Sequence, residues 1–493
     1  MYIVQIASEC APVIKAGGLG DVVYGLSRAI EEKGHCVELI LPMYDCMRYD
    51  HIWGLHDAYR DLWVPWYDGK VHCSVMCGWV HGRLCFFIRP HSQDNFFDRG
   101  IYYGANDDNM RFAFFSKAAI EFLLISNKRP DIIHCHDWQT GLIPVLLYEI
   151  YKWHGMANQR VCYTIHNFKH QGIAGSETLQ AIGLNNEAYY YNKERLQDNF
   201  NPFVINAMKG GIVYSNYVNT VSPHHAWEAR FTEVGCGLSP TIHRHHYKFG
   251  GILNGLDYRM WDPETDTYIS HHYTHETFAN KVKNKQTLRR YLSLAENDKP
   301  LVAYIGRLDG QKGVHLVHHA MYYALERGAQ FVLLGSATEP SIRDWFVHEK
   351  QYLNENPDCH LELSFNEELS HLIYAGADMM VVPSNYEPCG LTQVISLRYG
   401  TVPVVRGVGG LLNTVFDWDY DDNHRPENRN GFVFFQSDNK AIESAMGRAF
   451  DLWYLNPELF QQLAIQGMKY DYSWQNPAEQ YLGVYDFVRH KES

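Results

Sequence analysis

Apolar runs alternate with amphipathic stretches along the first half of the chain. Residues 2–7 are almost continuously apolar, as in a parallel strand that is buried on both faces. Asp21 is expected to cap a helix in which Val22 and Leu26 share a face, and residues 36–41 form the next predicted strand. The same alternation continues through DIIHCHDW and RVCYTIHN. This order predicts βαβ units.

A second series of the same kind begins at residue 300. Its predicted strands are residues 300–308, AQFVLLG, CHLELSF, MMVVPS and VPVVR. Four helices are predicted between these strands: the first starts at Gly313, the second ends near residue 355, the third covers NEELSHLIYAGA, and the fourth starts at Gly390. Strands that alternate with helices at near-constant spacing predict a mostly parallel, doubly wound sheet. Two α/β domains are therefore expected. Residues 254–297, polar and rich in histidine, are interpreted as their junction.

Composition narrows the class of protein. At 493 residues two or three domains are expected, and 46% apolar with 20% charged residues is typical of a globular chain. A net charge of -13 argues against a nucleic-acid partner. The longest apolar candidate for a membrane span is interrupted by Lys117 and Glu121, so a soluble protein is expected. No targeting segment opens the chain, and eleven scattered cysteines suit reduced thiols in the cytoplasm.

A glycine-rich loop, KAGGLGDVV, follows the first predicted strand. Val23 stands where a dinucleotide fingerprint needs its third glycine, and the pattern of a nucleoside-triphosphate loop is missing too. What remains is Lys15 ahead of paired glycines that lead into a helix, a general site for an anion. The alternative is a tight turn with a surface lysine.

Histidines recur at the ends of predicted strands. In HCHDW, Asp137 ends a strand, while His134 and His136 are expected to point to opposite faces and not to share an ion. In TIHN, the lone His166 is either structural or catalytic. The segment HRHHYKFGG is interpreted as a solvated loop, because zinc would need a fourth ligand at suitable spacing. No metal site is predicted.

Two segments of the second half are more specific. In GRLDGQKG, Arg307 and Lys312 flank a turn after a strand and could stabilise a diphosphate leaving group, or they belong to a solvated basic loop. In PSNYEPCGLT, Glu387 stands three residues before Gly390, which is expected to open a helix whose amides hold ribose or phosphate oxygens. The alternative is an acidic turn that only complements the helix dipole. Ligands of open α/β sheets bind outside the carboxyl ends of the strands, so a cleft between the two domains is the expected site.

Taken together, these segments resemble the glycogen and starch synthases, retaining glycosyltransferases of the two-domain GT-B architecture. KAGGLGDVV, CHDWQTG, TIHNFKHQG, ILNGLD, GRLDGQKG and PSNYEPCGLTQ occur in the family's order, and the resemblance runs from residue 2 to about residue 485. LPMYDCM and AQFVLLG are most similar to soluble starch synthases of the III and IV types and their cyanobacterial relatives. Since no transit peptide precedes the motifs, a bacterial or cyanobacterial origin is expected.

The resemblance implies an ADP-glucose-dependent α-1,4-glucan synthase. Such an enzyme transfers glucose to the non-reducing 4-hydroxyl of an α-1,4-glucan or maltooligosaccharide with retention, using no cofactor and requiring no metal. The implied domains are an acceptor-side Rossmann-like domain at 1–255, a nucleotide-sugar-binding one at 256–472, and a helix at 473–493 that packs back on the first. Neither nucleic acid nor membrane is an expected partner, and the oligomeric state and the choice between ADP-glucose and UDP-glucose are left open. The alternatives are a glucan phosphorylase, which would need a lysine bound to pyridoxal phosphate, and a non-catalytic glucan-binding scaffold.

The resemblance also implies residue roles. Arg307 and Lys312 would neutralise the departing diphosphate, Glu387 would hold glucose hydroxyls, and His166 would hydrogen-bond the glucose beside Asp137. These five are the implied catalytic residues. The implied substrate- and nucleotide-binding residues are Lys15, the amides of Gly17 and Gly18, Asp21, Asn167, Asn254, Phe365 in the place of an adenine-stacking tyrosine, Cys389, Gly390, Leu391 and Thr392.

Retention restricts the mechanism. A covalent double displacement would need a carboxylate placed as nucleophile beneath the sugar, and the family offers no agreed one. Ile395 stands where the broader retaining group often shows a second glutamate. A front-face departure, in which the leaving phosphate takes the acceptor's proton, fits these residues better.

Overall fold

The structure, a computed structural model, describes residues 1–490. Within this range the chain forms two compact units. One comprises residues 1–255 together with the described residues from Trp474 onward, and the other comprises Leu256–Ser473. None of the helices in residues 1–490 is long and apolar enough to cross a membrane.

The first unit is an α/β unit built on one large sheet. The strands of that sheet are β1 (Tyr2–Ile6), β2 (Cys36–Pro42), β3 (Trp53–Trp66), β4 (Gly69–Val80), β5 (Arg83–Pro90), β6 (Ile132–His136), β7 (Arg160–Ile165), β10 (Tyr217–Thr220) and β11 (Phe249–Gly251). A separate antiparallel pair consists of β8 (Ile173–Ala174) and β9 (Ile205–Asn206). The helices of this unit up to β11 are α1 (Gly18–Glu32), α2 (Asp108–Ile125), α3 (Ile143–Glu149), α4 (Ser176–Ile182), α5 (Glu187–Tyr190), α6 (Ala207–Tyr214), α7 (Pro223–Phe231) and α8 (Ser239–Arg244).

The order of the strands creates one reversal in this sheet. Among the described residues the order is β11-β10-β7-β6-β1-β2-β5-β4-β3, and all neighbouring pairs from β11 to β5 are parallel. The strands β2 to β5 lie on one side of β1, and β6, β7, β10 and β11 lie on its other side. Such a switch point leaves a crevice at the carboxyl ends of the two central strands. Here they are β1 and β6.

Several expectations for the first unit need correction. Asp21 does not cap α1, because the helix begins at Gly18 with an extended Gly17 as its N-cap and Asp21 lies within the first turn. The antiparallel edge formed by β3, β4 and β5 was not predicted, since exposed polar residues interrupt its apolar pattern. The HRHHYKFGG segment is not a loop: His243 lies in the last turn of α8, and His246 begins a short 3-10 turn.

The second unit is a parallel sheet with helices around it. Its strands are β12 (Leu301–Arg307), β13 (Gln330–Ser336), β14 (Cys359–Glu362), β15 (Met379–Val382), β16 (Val402–Arg406) and β17 (Phe432–Phe434). Its helices are α9 (Lys281–Tyr291), α10 (Val314–Glu326), α11 (Pro340–Leu353), α12 (Glu367–Gly376), α13 (Thr392–Arg398), α14 (Leu411–Thr414), α15 (Asn439–Leu455) and α16 (Pro457–Met468). Within the described chain the strand order is β14-β13-β12-β15-β16-β17, so the switch point lies between β12 and β15.

Two boundaries in this unit differ from the prediction. α13 begins at Thr392, because Gly390 adopts a left-handed conformation with a φ of 74° and stands outside the helix. Beyond Gly255, the polar stretch interpreted as a junction is part of the second unit, where Tyr273 and Leu288 are buried in its core.

The chain finally returns to the first unit. Trp474 leads into α17 (Gln475–His490), which packs on α1, and the last three residues of the predicted C-terminal helix, 491–493, lie outside the described residues. Trp474 packs so closely on α1 that a Cβ atom at Gly25 would lie 2.1 Å from its indole nitrogen. Tyr481 and Tyr485 of α17 are buried in the same core cluster as Val22 and Leu26.

Candidate active site

The predicted site residues of the first unit follow strands at the carboxyl edge of its sheet. Lys15, Gly17 and Gly18 come after β1, Asp137 follows β6, and His166 follows β7. The loops after β1 and β6 meet at the switch point of the sheet. The sequence therefore placed these residues correctly at strand ends, and their contacts decide what they can do.

The glycine-rich loop is held by Glu9, a buried residue just after β1. One oxygen of its carboxylate, Oε2, accepts hydrogen bonds from the amides of Ala16 at 2.7 Å and Gly17 at 3.0 Å. The other oxygen accepts the hydroxyl proton of Tyr103 at 2.7 Å. The N–H of Gly17 thus has an acceptor inside the protein, and its expected contact with the substrate stays a prediction.

Lys15 and Asp21 form an ion pair across this loop. Lys15 Nζ lies 2.9 Å from Asp21 Oδ1, and both side chains are partly exposed to solvent. An ion pair of this exposure adds little to stability. A lysine held in this position beside the first turn of α1 can instead meet an anionic ligand.

Asp137 is a strained and strongly shifted carboxyl group. It has a positive φ of 56°, which is rare for a residue other than glycine, and its Oδ1 accepts the backbone N–H of His166 at 2.6 Å. A longer contact of 3.4 Å joins the same oxygen to the amide of Asn167. Burial raises the pKa of Asp137 to about 7, the two amides oppose this rise, and the Glu9 charge adds to it. Strain and a shifted pKa together are typical of a functional site.

Three imidazoles lie side by side at the carboxyl ends of β6 and β7: His134, His136 and His166. The rings of His134 and His136 have centroids 4.2 Å apart, and His136 Nδ1 lies 3.1 Å from His166 Nε2. The expectation of opposite faces was wrong, because residues two apart in a strand share a face. Burial lowers the pKa of His134 and of His166 to about 3 and that of His136 well below its usual value. These rings are therefore neutral at physiological pH.

Asn254 has an unused hydrogen-bonding atom. It is 9% exposed, and its Oδ1 is buried without a hydrogen-bond partner among the described residues. Such an atom is costly unless a ligand or water satisfies it. Asn167 has a different task, since its Oδ1 accepts the amide of Lys169 at 2.9 Å and shapes the loop after β7.

In the second unit, Lys312 and Glu387 are brought together across the switch point. Lys312 Nζ lies 2.5 Å from Glu387 Oε2, and the Ser384 hydroxyl donates to the same oxygen at 2.8 Å. Glu387 is only 7% exposed. The pair combines a cation with a carboxylate that can still accept hydrogen bonds through its second oxygen.

Arg307 lies at the end of β12, before the turn that carries Lys312. Its guanidinium is 2.7 Å from Asp309 Oδ2, and Asp309 Oδ1 accepts the backbone N–H of Lys312 at 2.9 Å. The turn closes on Gly313, whose φ is 72° and whose missing side chain lets Pro383 O approach to 2.3 Å from the position of a Cβ atom. Glycine is required there, because a side chain would separate the loops after β12 and β15.

The segment that carries Glu387 is fixed by its neighbours. Asn385 donates its N–H to Gln311 O at 2.8 Å, and Glu387 O accepts the amide of Gly410 at 3.1 Å. The remaining predicted residues of this segment are Cys389, which is buried, Gly390, Leu391, whose side chain packs on the core, and Thr392, the first residue of α13. Ile395 is buried in the core, so no carboxylate stands at that position.

Phe365 is the most isolated predicted residue. It follows β14, and its ring is 86% exposed. A flat apolar ring so open to solvent is suited to stacking on a planar ligand such as a nucleobase.

No group of three or more His, Cys, Asp or Glu side chains within residues 1–490 could hold a metal ion. Sequence reasoning also missed three residues that organise the site: Glu9, Asp309 and Ser384. Glu9 could have been found, since it is an acidic residue directly after a buried central strand. Asp309 stands inside the predicted GRLDGQKG motif, but nothing in its spacing shows that it joins Arg307 to the turn.

Comparisons with known proteins agree with this architecture. A family model described as the starch synthase catalytic domain matches residues 2–244, and one described as glycosyl transferases group 1 matches residues 287–467. Glycogen synthase 1 of Trichormus variabilis is 72% identical over the whole of both chains. Glycogen synthase 2 of Methylococcus capsulatus is 57% identical over 99% of this chain and the whole of that protein.

Solved structures give the same result. The catalytic domain of starch synthase IV from Arabidopsis thaliana, solved with ADP and acarbose bound, matches with a TM-score of 0.94 and 43% identity over 99% of both chains. A sucrose-phosphate synthase from Thermosynechococcus elongatus, at a TM-score of 0.60 and 18% identity, shares the fold alone. Two Rossmann-like units with polar residues at each switch point define a GT-B glycosyltransferase. Within that class, the chain belongs to the glycogen and starch synthase family.

Proposed function

We propose that this protein is a glycogen synthase that transfers glucose from ADP-glucose to the non-reducing end of an α-1,4-glucan. The observation that carries the proposal is the Lys312–Glu387 pair at the switch point of the second unit, with Arg307 at the end of the adjoining strand. The match to a starch synthase solved with ADP and acarbose supports an adenine-nucleotide donor and an oligosaccharide acceptor. The second unit would bind the nucleotide sugar, and the first would serve the acceptor side.

The two cations and the carboxylate have separate tasks in this proposal. Lys312 and Arg307 neutralise the diphosphate as charge develops on it, and electrostatic stabilisation of this kind is commonly the largest catalytic contribution. Glu387 accepts hydrogen bonds from glucose hydroxyls. Phe365 stacks on the adenine, while Cys389, Gly390, Leu391 and Thr392 lie along the nucleotide. In the first unit, the residues proposed to bind substrate are Lys15, Gly17, Gly18, Asp21, Asn167 and Asn254.

Retention follows from a front-face departure. The bond from the anomeric carbon to the diphosphate oxygen breaks, the acceptor's 4-oxygen bonds to the same face, and its proton passes to the leaving phosphate. His166 is neutral because its pKa is about 3, so it contributes hydrogen bonds and not a proton. Asp137 fixes the backbone of His166 through its 2.6 Å hydrogen bond. We further propose that the reaction takes place in the cytoplasm and needs neither metal nor cofactor.

Substitution of the central pair tests the proposal. Glu387→Ala and Lys312→Ala should each lower kcat for glucosyl transfer by about a hundredfold to a thousandfold, the loss typical when one stabilising group is removed. Lys440→Ala, an exposed lysine of α15, is the matched control and should retain full activity. The assay supplies ADP-glucose or UDP-glucose with and without maltooligosaccharides, includes arms with a chelator, and resolves the products by length. Near-normal turnover in a correctly folded Glu387→Ala protein would overturn the assignment.

A further inference from the structure

A buried chain of hydrogen-bonded polar side chains runs from α17 to His134, whose ring packs against that of His136. Asn219 Nδ2 donates to the Tyr481 hydroxyl at 2.9 Å, and Thr164 Oγ1 donates to Asn219 Oδ1 at 2.9 Å. Asn219 Nδ2 also faces the carbonyl of Thr220 at 3.4 Å, which fixes the orientation of the amide. The direction of each hydrogen bond in this chain can therefore be assigned.

The tautomer of His134 follows from this direction. The single hydroxyl proton of Thr164 is used on Asn219, so Thr164 must accept from His134 Nε2, which lies 2.7 Å away. His134 Nδ1 then carries the lone pair and accepts from the Tyr485 hydroxyl at 2.7 Å. Both ring nitrogens of His134 have hydrogen-bond partners, which stabilises the neutral ring with its proton on Nε2.

His136 is different, because only one of its ring nitrogens has a partner. Its Nδ1 lies 3.1 Å from His166 Nε2, whereas its Nε2 is buried with no hydrogen-bond partner among the described residues. Since both rings are neutral, one nitrogen of the pair donates and the other accepts. If His166 donated, the proton of His136 would sit on the orphaned Nε2, and a buried N–H without an acceptor is among the rarest features of proteins.

We infer that His136 is a positioning residue: it donates from Nδ1 to His166 Nε2, holds that ring, and so fixes the proton of His166 on Nδ1. His166 then meets the bound sugar with an N–H donor and not with a lone pair. The glucose hydroxyl that it contacts is an acceptor in that bond. This inference rests on the proposed function for the identity of the ligand, but not for the tautomer.

The tautomer can be read in the full-length protein without any substrate. With histidines labelled with 15N, the long-range 15N–1H spectrum should show His166 with a protonated Nδ1 and an unprotonated Nε2, the His166→Gln difference spectrum supplying the assignment. His136→Asn should preserve that state, because its amide nitrogen occupies the place of Nδ1. A wild-type His166 protonated on Nε2 would overturn the inference, whatever the enzyme's activity.

Kinetics test the same contact from the ligand's side. ADP-glucose analogues that each lack one glucose hydroxyl are compared in wild type, His136→Leu and His136→Asn, each shown to be folded by circular dichroism and thermal melting. For the analogue that lacks the hydroxyl contacted by His166, the wild-type kcat/KM should be about tenfold to a hundredfold lower than for ADP-glucose. A site built to hydrogen-bond a hydroxyl rejects the analogue without it. His136→Leu should reduce that loss to less than threefold, and His136→Asn should restore it.

A purely structural role would give a different pattern. Loss of packing alone lowers the turnover of ADP-glucose and of every analogue by one factor, so equal analogue penalties in the three proteins would overturn the inference. Failure of wild type to transfer glucose at all would instead count against the proposed function, and the spectrum of His166 would still decide the inference.

Discussion

At the scale of single residues, the site depends on groups whose ionisation the fold has changed. Asp137 is the clearest case, since burial raises its pKa to about 7 from an ordinary value near 3.8. The folded protein therefore binds a proton between about pH 4 and pH 7 that the unfolded chain has released. This contribution to stability is fully present below about pH 4, declines as the pH rises, and is lost once the pH has passed about 7.

Asp137→Asn, which does not titrate, should reveal that loss. Relative to wild type, the variant should gain about 2 to 3 kcal/mol in free energy of unfolding between pH 5 and pH 8, a shift of several degrees in thermal midpoint. Thermal melts of both proteins at each pH check it. A difference between their midpoints that stays constant across this range would show that Asp137 has an ordinary pKa.

Glu9 is expected to act through the order of the glycine-rich loop. Glu9→Ala leaves the amides of Ala16 and Gly17 without their shared acceptor, so the KM for the nucleotide sugar should rise about tenfold. Glu9→Gln retains an oxygen for these amides and should stay within about threefold of wild type. Steady-state kinetics on the three proteins test this, and identical values for the two variants would contradict it.

At the scale of helices and strands, the sequence is informative where burial is uniform. β1 and β12 are mostly apolar and β6 begins with two isoleucines, and this pattern by itself is enough to place the residues that follow these strands at a sheet edge. The contacts between those residues could not be predicted, because they depend on strand order. Lys312 meets Glu387 since β12 and β15 are neighbours, although 71 residues separate the two strands along the chain.

Errors in the prediction have local causes. Asp21 looked like a helix cap because acidic residues favour both the cap and the first turn, and only the backbone of Gly17 distinguishes these positions. The role of His136 could not be predicted, since it depends on His166, which follows a neighbouring strand, and on a ring nitrogen without a hydrogen-bond partner among the described residues.

The packing of Trp474 on α1 gives a test at this scale. Gly25→Ala places a methyl group 2.1 Å from the Trp474 indole nitrogen, so overpacking should cost about 1 to 3 kcal/mol and lower the thermal midpoint by several degrees. Gly483→Ala is the matched control within α17, where an added Cβ atom meets nothing within 4 Å. It should raise the midpoint slightly, because alanine favours a helix by roughly 0.5 to 1 kcal/mol over glycine. Equal shifts of the same sign would show that Trp474 does not restrict α1.

At the scale of the whole molecule, the accessibility of the thiols to a reagent reports how well each unit excludes solvent from its core. All eleven cysteines lie in the described residues and none is in a disulfide; Cys36 and Cys46 are exposed, Cys236 is half-buried, and the others are buried. Burial raises the pKa of Cys85 and Cys135 well above that of an ordinary thiol, which suppresses the reactive thiolate.

Titration with Ellman's reagent should therefore count two fast thiols, one slower thiol, and the remaining eight only after guanidinium is added. The Cys36→Ser and Cys46→Ser variants should each remove one fast equivalent. Fewer than eleven thiols in the denatured, unreduced protein would reveal a disulfide and contradict this account.

The path of the chain also has a consequence for its synthesis. The first unit is interrupted after Gly255 and is completed only by Trp474 and α17. At about 5 to 20 residues per second, a ribosome needs roughly ten to forty seconds to make the intervening segment. During that time α17 is not yet available to pack on the apolar face of α1 at Val22 and Leu26. This face of the nascent first unit is therefore accessible to chaperones and to neighbouring chains until the end of translation.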